Sequence, residues 1–130
     1  MNEKTINNWI SQSDYDLQTA LAMLKSGRFL YVAFMCQQSV EKLLKAVYIK
    51  KNNDTPPYIH NLNRLIILCN LKGILPEHLD DFIIELNTYY IESRYSDDIQ
   101  ELIKVIDKTK AETIYLNTQE LIKWLRSNIL

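Results

Sequence analysis

Residues 28–51 place the strongest constraint on the fold, because this stretch has the period of a helix and is apolar on nearly every side. Phe34, Met35, Tyr48 and Ile49 point away from its main apolar seam. A helix with this pattern has to be buried on nearly every side. We therefore expect it to be the central helix of a bundle, or a wall shared between the bundle and a partner. The seam itself consists of Ala33, Cys36, Val40, Leu43, Leu44 and Val47.

The same helix carries polar side chains at its centre, and these admit two interpretations. Gln37 lies at the border of the seam, and Gln38 lies beyond it. Buried amides usually form hydrogen bonds to a neighbouring helix or across an interface. The alternative is a polar pocket lined by Gln37, Glu41 and Lys45. Glu41 and Lys45 also have the i,i+4 spacing of an ion pair that stabilises a helix.

The rest of the chain predicts more helices, which short loops separate. The expected ranges are 4–26, 28–51, 60–72 and 76–93, followed by a helical stretch over 99–106 and a last helix that restarts at a capping box formed by Thr109 and Glu112 and runs to residue 126. The chain has only 2 Gly and 3 Pro, too few for the many turns of an all-β sandwich. We predict one all-α domain over residues 1–130, an up-and-down antiparallel bundle of four to five helices.

Composition and charge exclude several classes of protein. The formal net charge of -1 gives no overall basic field for nucleic acid, so any such contact needs a local patch. The first nine residues lack the apolar core of a signal peptide, and no apolar run approaches the ~20 residues that span a bilayer. We expect a cytoplasmic protein that does not contact a membrane. Cys36 and Cys69 are expected to be buried free thiols, and their spacing to His60 and His78 predicts neither a metal site nor a cofactor.

Several motifs in fixed order resemble the HEPN domain family, whose name stands for higher eukaryotes and prokaryotes nucleotide-binding. The central helix has the sequence YVAFMCQQSVEKLLKAVYI, a loop with two prolines follows, and then come HNLNRL and YYIESRYSDD. The family pattern has a paired glutamine, Glu-Lys and Leu-Lys-Ala in this helix, then His-x-Leu, then Tyr-x-x-x-Arg-Tyr-Pro-Asp. This chain departs from it at Ser39, where the family has a small Ala, and at Ser96, where the family has Pro. The resemblance covers nearly the whole chain.

The resemblance implies a fold and two kinds of function. HEPN proteins are up-and-down helical bundles, often dimeric, and many are encoded beside a small nucleotidyltransferase with which they act. They are similar to the helical domain of kanamycin nucleotidyltransferase, and nucleotide binding was proposed on that basis. Other members are ribonucleases, many of them toxins, in which an Arg-x(4–6)-His motif promotes attack by the ribose 2′-hydroxyl.

The ribonuclease motif is absent from this sequence. No histidine follows Arg94, and neither Arg28 nor Arg64 has one at the required spacing. Lys72 and His78 have a similar spacing, but Gly73 and Pro76 lie between them, so one helix turn does not present both. Without that histidine the general acid and base of this chemistry is missing.

Two groups of residues are candidate ligand-binding residues. Arg94 is expected either to satisfy helix-end carbonyls and pair with Asp97 and Asp98, or to bind an anion through its planar fork. His60 is expected to anchor the proline loop by a side-chain hydrogen bond, and it is otherwise a candidate ligand-binding residue. The tyrosines on which a base would stack are Tyr89, Tyr90 and Tyr95.

These observations predict a binding module that forms a homodimer and works with a separate minimal nucleotidyltransferase, in contact with a nucleotide or RNA. The alternative is a degenerate ribonuclease of the toxin type, and we favour the non-catalytic interpretation because the motif is missing. The dimer is expected because helix 28–51 has more apolar surface than one seam needs. A second candidate interface is the helix over 76–93, with its apolar residues Phe82, Ile83, Leu86, Tyr89 and Tyr90.

Overall fold

The computed structural model describes residues 2–130, and these residues form helices and no strand. The all-α prediction is confirmed, but the described residues form six helices rather than four or five. They are α1 (Asn2–Lys25), α2 (Phe29–Asn52), α3 (Leu62–Leu68), α4 (Glu77–Asn87), α5 (Ser96–Val105) and α6 (Lys108–Asn128), with one 3-10 turn at Ile91–Ser93.

Helices α1 and α2 form an antiparallel hairpin, which is the most extensive helix pair of the fold. The turn between them contains Gly27 at φ +77, a backbone conformation that glycine adopts without steric cost. Ser13 Oγ donates to the Ser39 carbonyl at 2.7 Å, and Ser39 Oγ donates to the Ser13 carbonyl at 2.8 Å. These reciprocal bonds between two small residues draw the helices close together, so Ser39 suits a position where the family has another small residue.

Helix α2 is the central helix, because the chain itself covers it on nearly every side. The whole predicted seam is buried without measurable exposure, and Ile49 on another face is only 3% exposed. Phe34 and Tyr48 pack partly buried against the core. Helices α1, α3, α4, α5 and α6 all contact it. Most of its apolar surface is therefore used within one chain.

The region after α2 differs from the predicted helix bounds. Helix α3 ends at Leu68, short of residue 72, because Asn70 takes φ +56 and Gly73 takes φ +80. Helix α4 ends at Asn87 rather than at residue 93, and an extended segment with the 3-10 turn follows. The capping box at Thr109 was also a wrong prediction. Helix α6 is capped by Asp107, whose side chain accepts the backbone N–H of Lys110 at 2.9 Å.

Of the apolar residues predicted as a second dimer surface, all but Tyr90 are part of the core. Phe82, Ile83, Leu86 and Tyr89 are between 0% and 6% exposed. The exposed apolar side chains of this region are instead Ile67, Ile74 and Ile84.

Both cysteines are buried free thiols, as expected. Burial raises the pKa of Cys36 to about 12 and that of Cys69 to about 11, so neither is a reactive thiolate near neutral pH. No group of three or more potential metal ligands comes together among residues 2–130. None of the described helices has the length and hydropathy to cross a membrane.

Candidate functional site

The paired glutamines belong to a buried network that ties α2 to the segment before α3. Gln37 has no exposed surface, and its Nε2 donates to Glu41 Oε1 at 3.3 Å and to the His60 carbonyl at 3.2 Å. Gln38 Nε2 donates to Gln37 Oε1 at 2.7 Å. The amides are therefore hydrogen-bonded as the first interpretation expects, but their partners lie on α2 itself and in the segment before α3 rather than on a neighbouring helix.

Glu41 is the centre of this network. Its side chain is 4% exposed and accepts Lys45 Nζ at 3.1 Å. His60 Nδ1 lies 3.1 Å from each carboxylate oxygen. No buried side-chain nitrogen or oxygen among residues 2–130 lacks a hydrogen-bond partner. A buried carboxylate with three side-chain donors fixes those donors in place, so the network is a rigid floor beneath the surface above it.

His60 is oriented by Glu41 and by two aromatic rings. Because a carboxylate only accepts, Nδ1 carries a proton and donates it to Glu41, whereas Nε2 has no partner among the described residues. The imidazole stacks on Tyr90 with a centroid distance of 4.5 Å and an interplanar angle of 12°. The ring of Tyr58 meets it edge-on at 5.3 Å. The imidazole edge with Nε2 is therefore presented at a surface where His60 is 31% exposed.

An open cleft of about 540 Å³ lies beside His60, and we call it the Arg94 cleft. Asn87 holds two of its walls together, because its side-chain oxygen accepts the backbone N–H of Leu62 at 2.7 Å. Asn61 caps α3 by accepting the N–H of Arg64 at 3.1 Å. The residues that line the Arg94 cleft are His60, Asn61, Asn87, Thr88, Tyr90, Ser93, Arg94, Tyr95 and Asp98.

Arg94 is held in place at the end of α4. Its Nε donates to the Thr88 carbonyl at 2.9 Å, and Nη2 donates to the same oxygen. This bond corresponds to the expected helix-end contact. The expected pairing with Asp97 and Asp98 is absent from the described residues, and Nη1 has no partner there. The Thr88 carbonyl thus orients one edge of the guanidinium, and Nη1 keeps its N–H groups for an acceptor in the cleft.

The three tyrosines have different positions. Tyr95 is 84% exposed at the edge of the Arg94 cleft. Tyr90 donates to Glu92 at 3.1 Å, and burial together with that bond raises the pKa of Tyr90 to about 12, so its ring stays neutral. Tyr89 is buried and donates to Glu85 at 2.7 Å. The prediction that Tyr89 stacks on a ligand was wrong, because its ring is packed in the core.

A second cleft of about 610 Å³ opens on the other side of Tyr58, and we call it the Trp9 cleft. Lys45 Nζ lies 5.5 Å from the centroid of the Trp9 ring and 5.8 Å from that of Tyr58. The residues that line the Trp9 cleft are Asn2, Thr5, Trp9, Lys45, Ile49, Asn53, Asp54, Thr55, Pro56, Pro57 and Tyr58.

The predicted site residues therefore divide into four groups. Four of them line the Arg94 cleft, namely His60, Tyr90, Arg94 and Tyr95. Gln37 and Glu41 lie in the buried floor, and Lys45 reaches the Trp9 cleft. Asp97 is exposed in the first turn of α5 and lines neither cleft.

Sequence reasoning missed Asn61, Asn87 and Tyr58 as lining residues. Tyr58 directly follows Pro56 and Pro57 and lies two residues before His60, and this position was the one usable signal in the sequence. Nothing in the pattern around Asn87 indicates that its side chain bonds to a backbone N–H 25 residues away.

Comparison with known proteins gives a family and a fold. The sequence profile of the HEPN domain matches residues 6–128. The crystal structure of TT1696 from Thermus thermophilus is similar to this structure with a TM-score of 0.79 and 22% sequence identity, over 98% of each chain. No curated protein gives a significant match. At 22% identity, this structural similarity shows a common fold.

Proposed function

This chain belongs to the HEPN domain family, and from that premise we propose that it is a nucleotide-binding module, working as a dimer beside a separate minimal nucleotidyltransferase. The observation that supports this best is the composition of the Arg94 cleft. One open surface combines an arginine, a histidine and two tyrosines, which suit a phosphate and a flat base.

The phosphate would bind at Arg94. Charge-assisted bonds from an arginine fork to a phosphate are about twice as strong as neutral hydrogen bonds. Because the Thr88 carbonyl already holds one edge of the guanidinium, less side-chain entropy is lost when an anion binds. The carboxylate of Asp98 lines the same cleft and only accepts, so it favours hydroxyl groups such as those of a ribose and disfavours a second phosphate beside it.

The base would stack on exposed aromatic surface. Tyr95 offers its ring to solvent, and the Tyr90 ring is braced by the stack with His60. The buried network beneath His60 fixes that ring without help from a ligand. The cleft is thus pre-organised, which lowers the entropic cost of binding.

We expect a nucleoside 5′-monophosphate to bind, and the matching nucleoside to bind at least about tenfold more weakly, because the arginine contact contributes only to the phosphorylated ligand. Isothermal titration calorimetry with both ligands measures this difference. Equal affinity for the two ligands, or no heat from either, would contradict the proposal.

RNA cleavage is the second candidate function, and one observation favours it. The sequence has no histidine after Arg94, yet His60 lines the same cleft with its Nδ1 bound to a carboxylate and its Nε2 without a partner among the described residues. A carboxylate-oriented imidazole is suited to act as a general base. RNA degradation that is lost in His60→Gln and kept in His78→Gln would favour this function over the binding module.

The proposed dimer needs an apolar surface that the chain leaves uncovered, and a groove of about 470 Å³ between α3 and α4 provides one. Ile67 and Ile84 line this groove and are 54% and 59% exposed. Lys72 and Asp80 also line it, and neither has an ion-pair partner among residues 2–130. We propose a two-fold interface in which Lys72 of one copy pairs with Asp80 of the other, an arrangement that would make the groove complementary to a second copy of itself.

We expect Ile84→Asp to convert the dimer to a monomer, because the buried patch would then contain an unpaired carboxylate. Multi-angle light scattering over a range of concentrations measures the molar mass. Leu116→Asp is the matched control, since Leu116 is 62% exposed on α6 and lines no part of the groove. A wild-type protein that is monomeric at high micromolar concentration would contradict the dimer.

A further inference from the structure

The two clefts are joined by a row of aromatic rings. Tyr90 stacks on His60 at 4.5 Å, and His60 meets Tyr58 at 5.3 Å. Tyr58 also lines the Trp9 cleft, where Lys45 Nζ lies 5.8 Å from the ring centroid of Tyr58 and 5.5 Å from that of Trp9. These ring contacts therefore run from the Arg94 cleft to the Trp9 cleft.

The Trp9 cleft has the chemistry of a site for a flat neutral ring. The charge of Lys45 is already matched by Glu41 at 3.1 Å, so this ammonium is not a free anion hook. Asp54 at the rim disfavours a phosphate further. Trp9, Tyr58 and two prolines supply apolar contact area, and Asn2 and Asn53 supply amide groups that can bond to a ring edge.

We propose that the two clefts together bind a single-stranded oligonucleotide. A phosphate is held at Arg94, and the base of an adjoining nucleotide stacks in the Trp9 cleft against Trp9 and Tyr58. This inference rests on the proposed nucleotide-binding function and adds to it a second site and a preference for chains over mononucleotides. Base-aromatic stacking is tolerant of sequence, so we expect little discrimination between bases.

The charge of the clefts predicts an unusual salt dependence for this binding. The lysine and arginine side chains that line the two clefts are Arg94 and Lys45, and the charge of Lys45 is matched by Glu41. With about one phosphate neutralised, the slope of log affinity against log salt should be about -0.7. Most of the affinity then comes from stacking and persists at high salt.

Trp9 is a built-in reporter of the second site. The chain has 2 tryptophans, and Trp124→Phe leaves Trp9 as the only one. We expect a mononucleotide to leave Trp9 fluorescence nearly unchanged, whereas a dinucleotide and a tetranucleotide quench it. Affinity should rise by about tenfold for the added base that stacks in the Trp9 cleft.

The matched variants are Tyr58→Ala and Tyr15→Ala, made in the Trp124→Phe protein. Both tyrosines are strongly exposed, at 90% and 71%, but Tyr15 lines neither cleft. Within each variant the affinity for longer ligands is compared with that variant's own mononucleotide affinity: Tyr58→Ala should abolish the gain with length, and Tyr15→Ala should keep it. Equal affinity for all ligand lengths, with no change in Trp9 fluorescence, would overturn this inference. The proposed function would still stand in that case if mononucleotide affinity depended on the phosphate. Absence of binding by every ligand would overturn both.

Discussion

Glu41→Gln is expected to lower the free energy of unfolding by about 3–5 kcal/mol, because it leaves the buried Lys45 ammonium without its counter-charge. Lys45 is 5% exposed, and Glu41 is its ion-pair partner. The substitution keeps the size of the side chain, so the loss comes from charge and hydrogen bonding rather than from a cavity. Urea denaturation followed by circular dichroism measures the difference.

Glu85→Gln is the matched control for this substitution. Glu85 also accepts a lysine, Lys110 at 2.8 Å, but both side chains are more than a third exposed. A solvent-exposed ion pair contributes about 0–1 kcal/mol, so the control should lose far less stability. Equal losses in the two variants would contradict the assignment of Glu41 as the centre of the network.

A double variant separates the charge from the fold. In Glu41→Gln with Lys45→Met, the uncompensated ammonium is gone and an unbranched apolar chain of similar length replaces it. Buried ion pairs are often replaced by apolar residues at little cost, so we expect the double variant to recover most of the lost stability. In this variant His60 and Gln37 face an amide instead of a carboxylate. Any property that the double variant fails to recover then reports on the orientation of His60 by Glu41.

The central position of α2 was predictable from sequence because the information is local. A helix that is apolar all round admits few environments, and burial of Leu43, Leu44 and Val47 follows from their spacing alone. The HEPN motifs add the order of the later segments. The helical spacing therefore predicts which residues of α2 form the core without knowledge of any long-range contact.

The ends of α3 and α4 were not predictable in the same way. Asn70 has the sequence context of a helix interior residue, yet it takes a positive φ that asparagine tolerates. Helix α4 ends where no glycine or proline stands. Its end coincides with two contacts from distant residues, the bond of Asn87 to Leu62 and that of Arg94 to Thr88. Tertiary contacts of this kind override the helical period.

The candidate site depends on the same long-range contacts. Sequence reasoning named His60, Tyr90 and Arg94 separately, but it had no means of stacking His60 on Tyr90 across 30 residues. It also treated the floor residues Gln37 and Glu41 as part of a possible pocket. In the structure they lie beneath the cleft, because α2 is covered on the side from which they project.

Arg94→Ala is expected to have two effects at once, since the guanidinium both holds the Thr88 carbonyl and faces the cleft. Loss of the phosphate contact should weaken nucleotide binding by about 1.5–3 kcal/mol, which is roughly tenfold to 150-fold. Loss of the bond to Thr88 should cost about 1 kcal/mol of stability and lower the melting temperature by about 4 °C. Titration calorimetry and thermal unfolding on the same preparations measure both effects.

Arg94→Lys distinguishes the two parts of this role. A lysine ammonium can donate to the Thr88 carbonyl or to a phosphate, but it lacks the planar fork that reaches both. We therefore expect Arg94→Lys to recover only part of the nucleotide affinity and only part of the melting temperature of the ligand-free protein. Arg64→Ala is the control, because Arg64 is exposed on α3 and its side chain lines neither cleft. A lower melting temperature in Arg94→Ala, together with a wild-type protein that binds no nucleotide, would leave Arg94 with the helix-end contact alone and remove the anion site from the cleft.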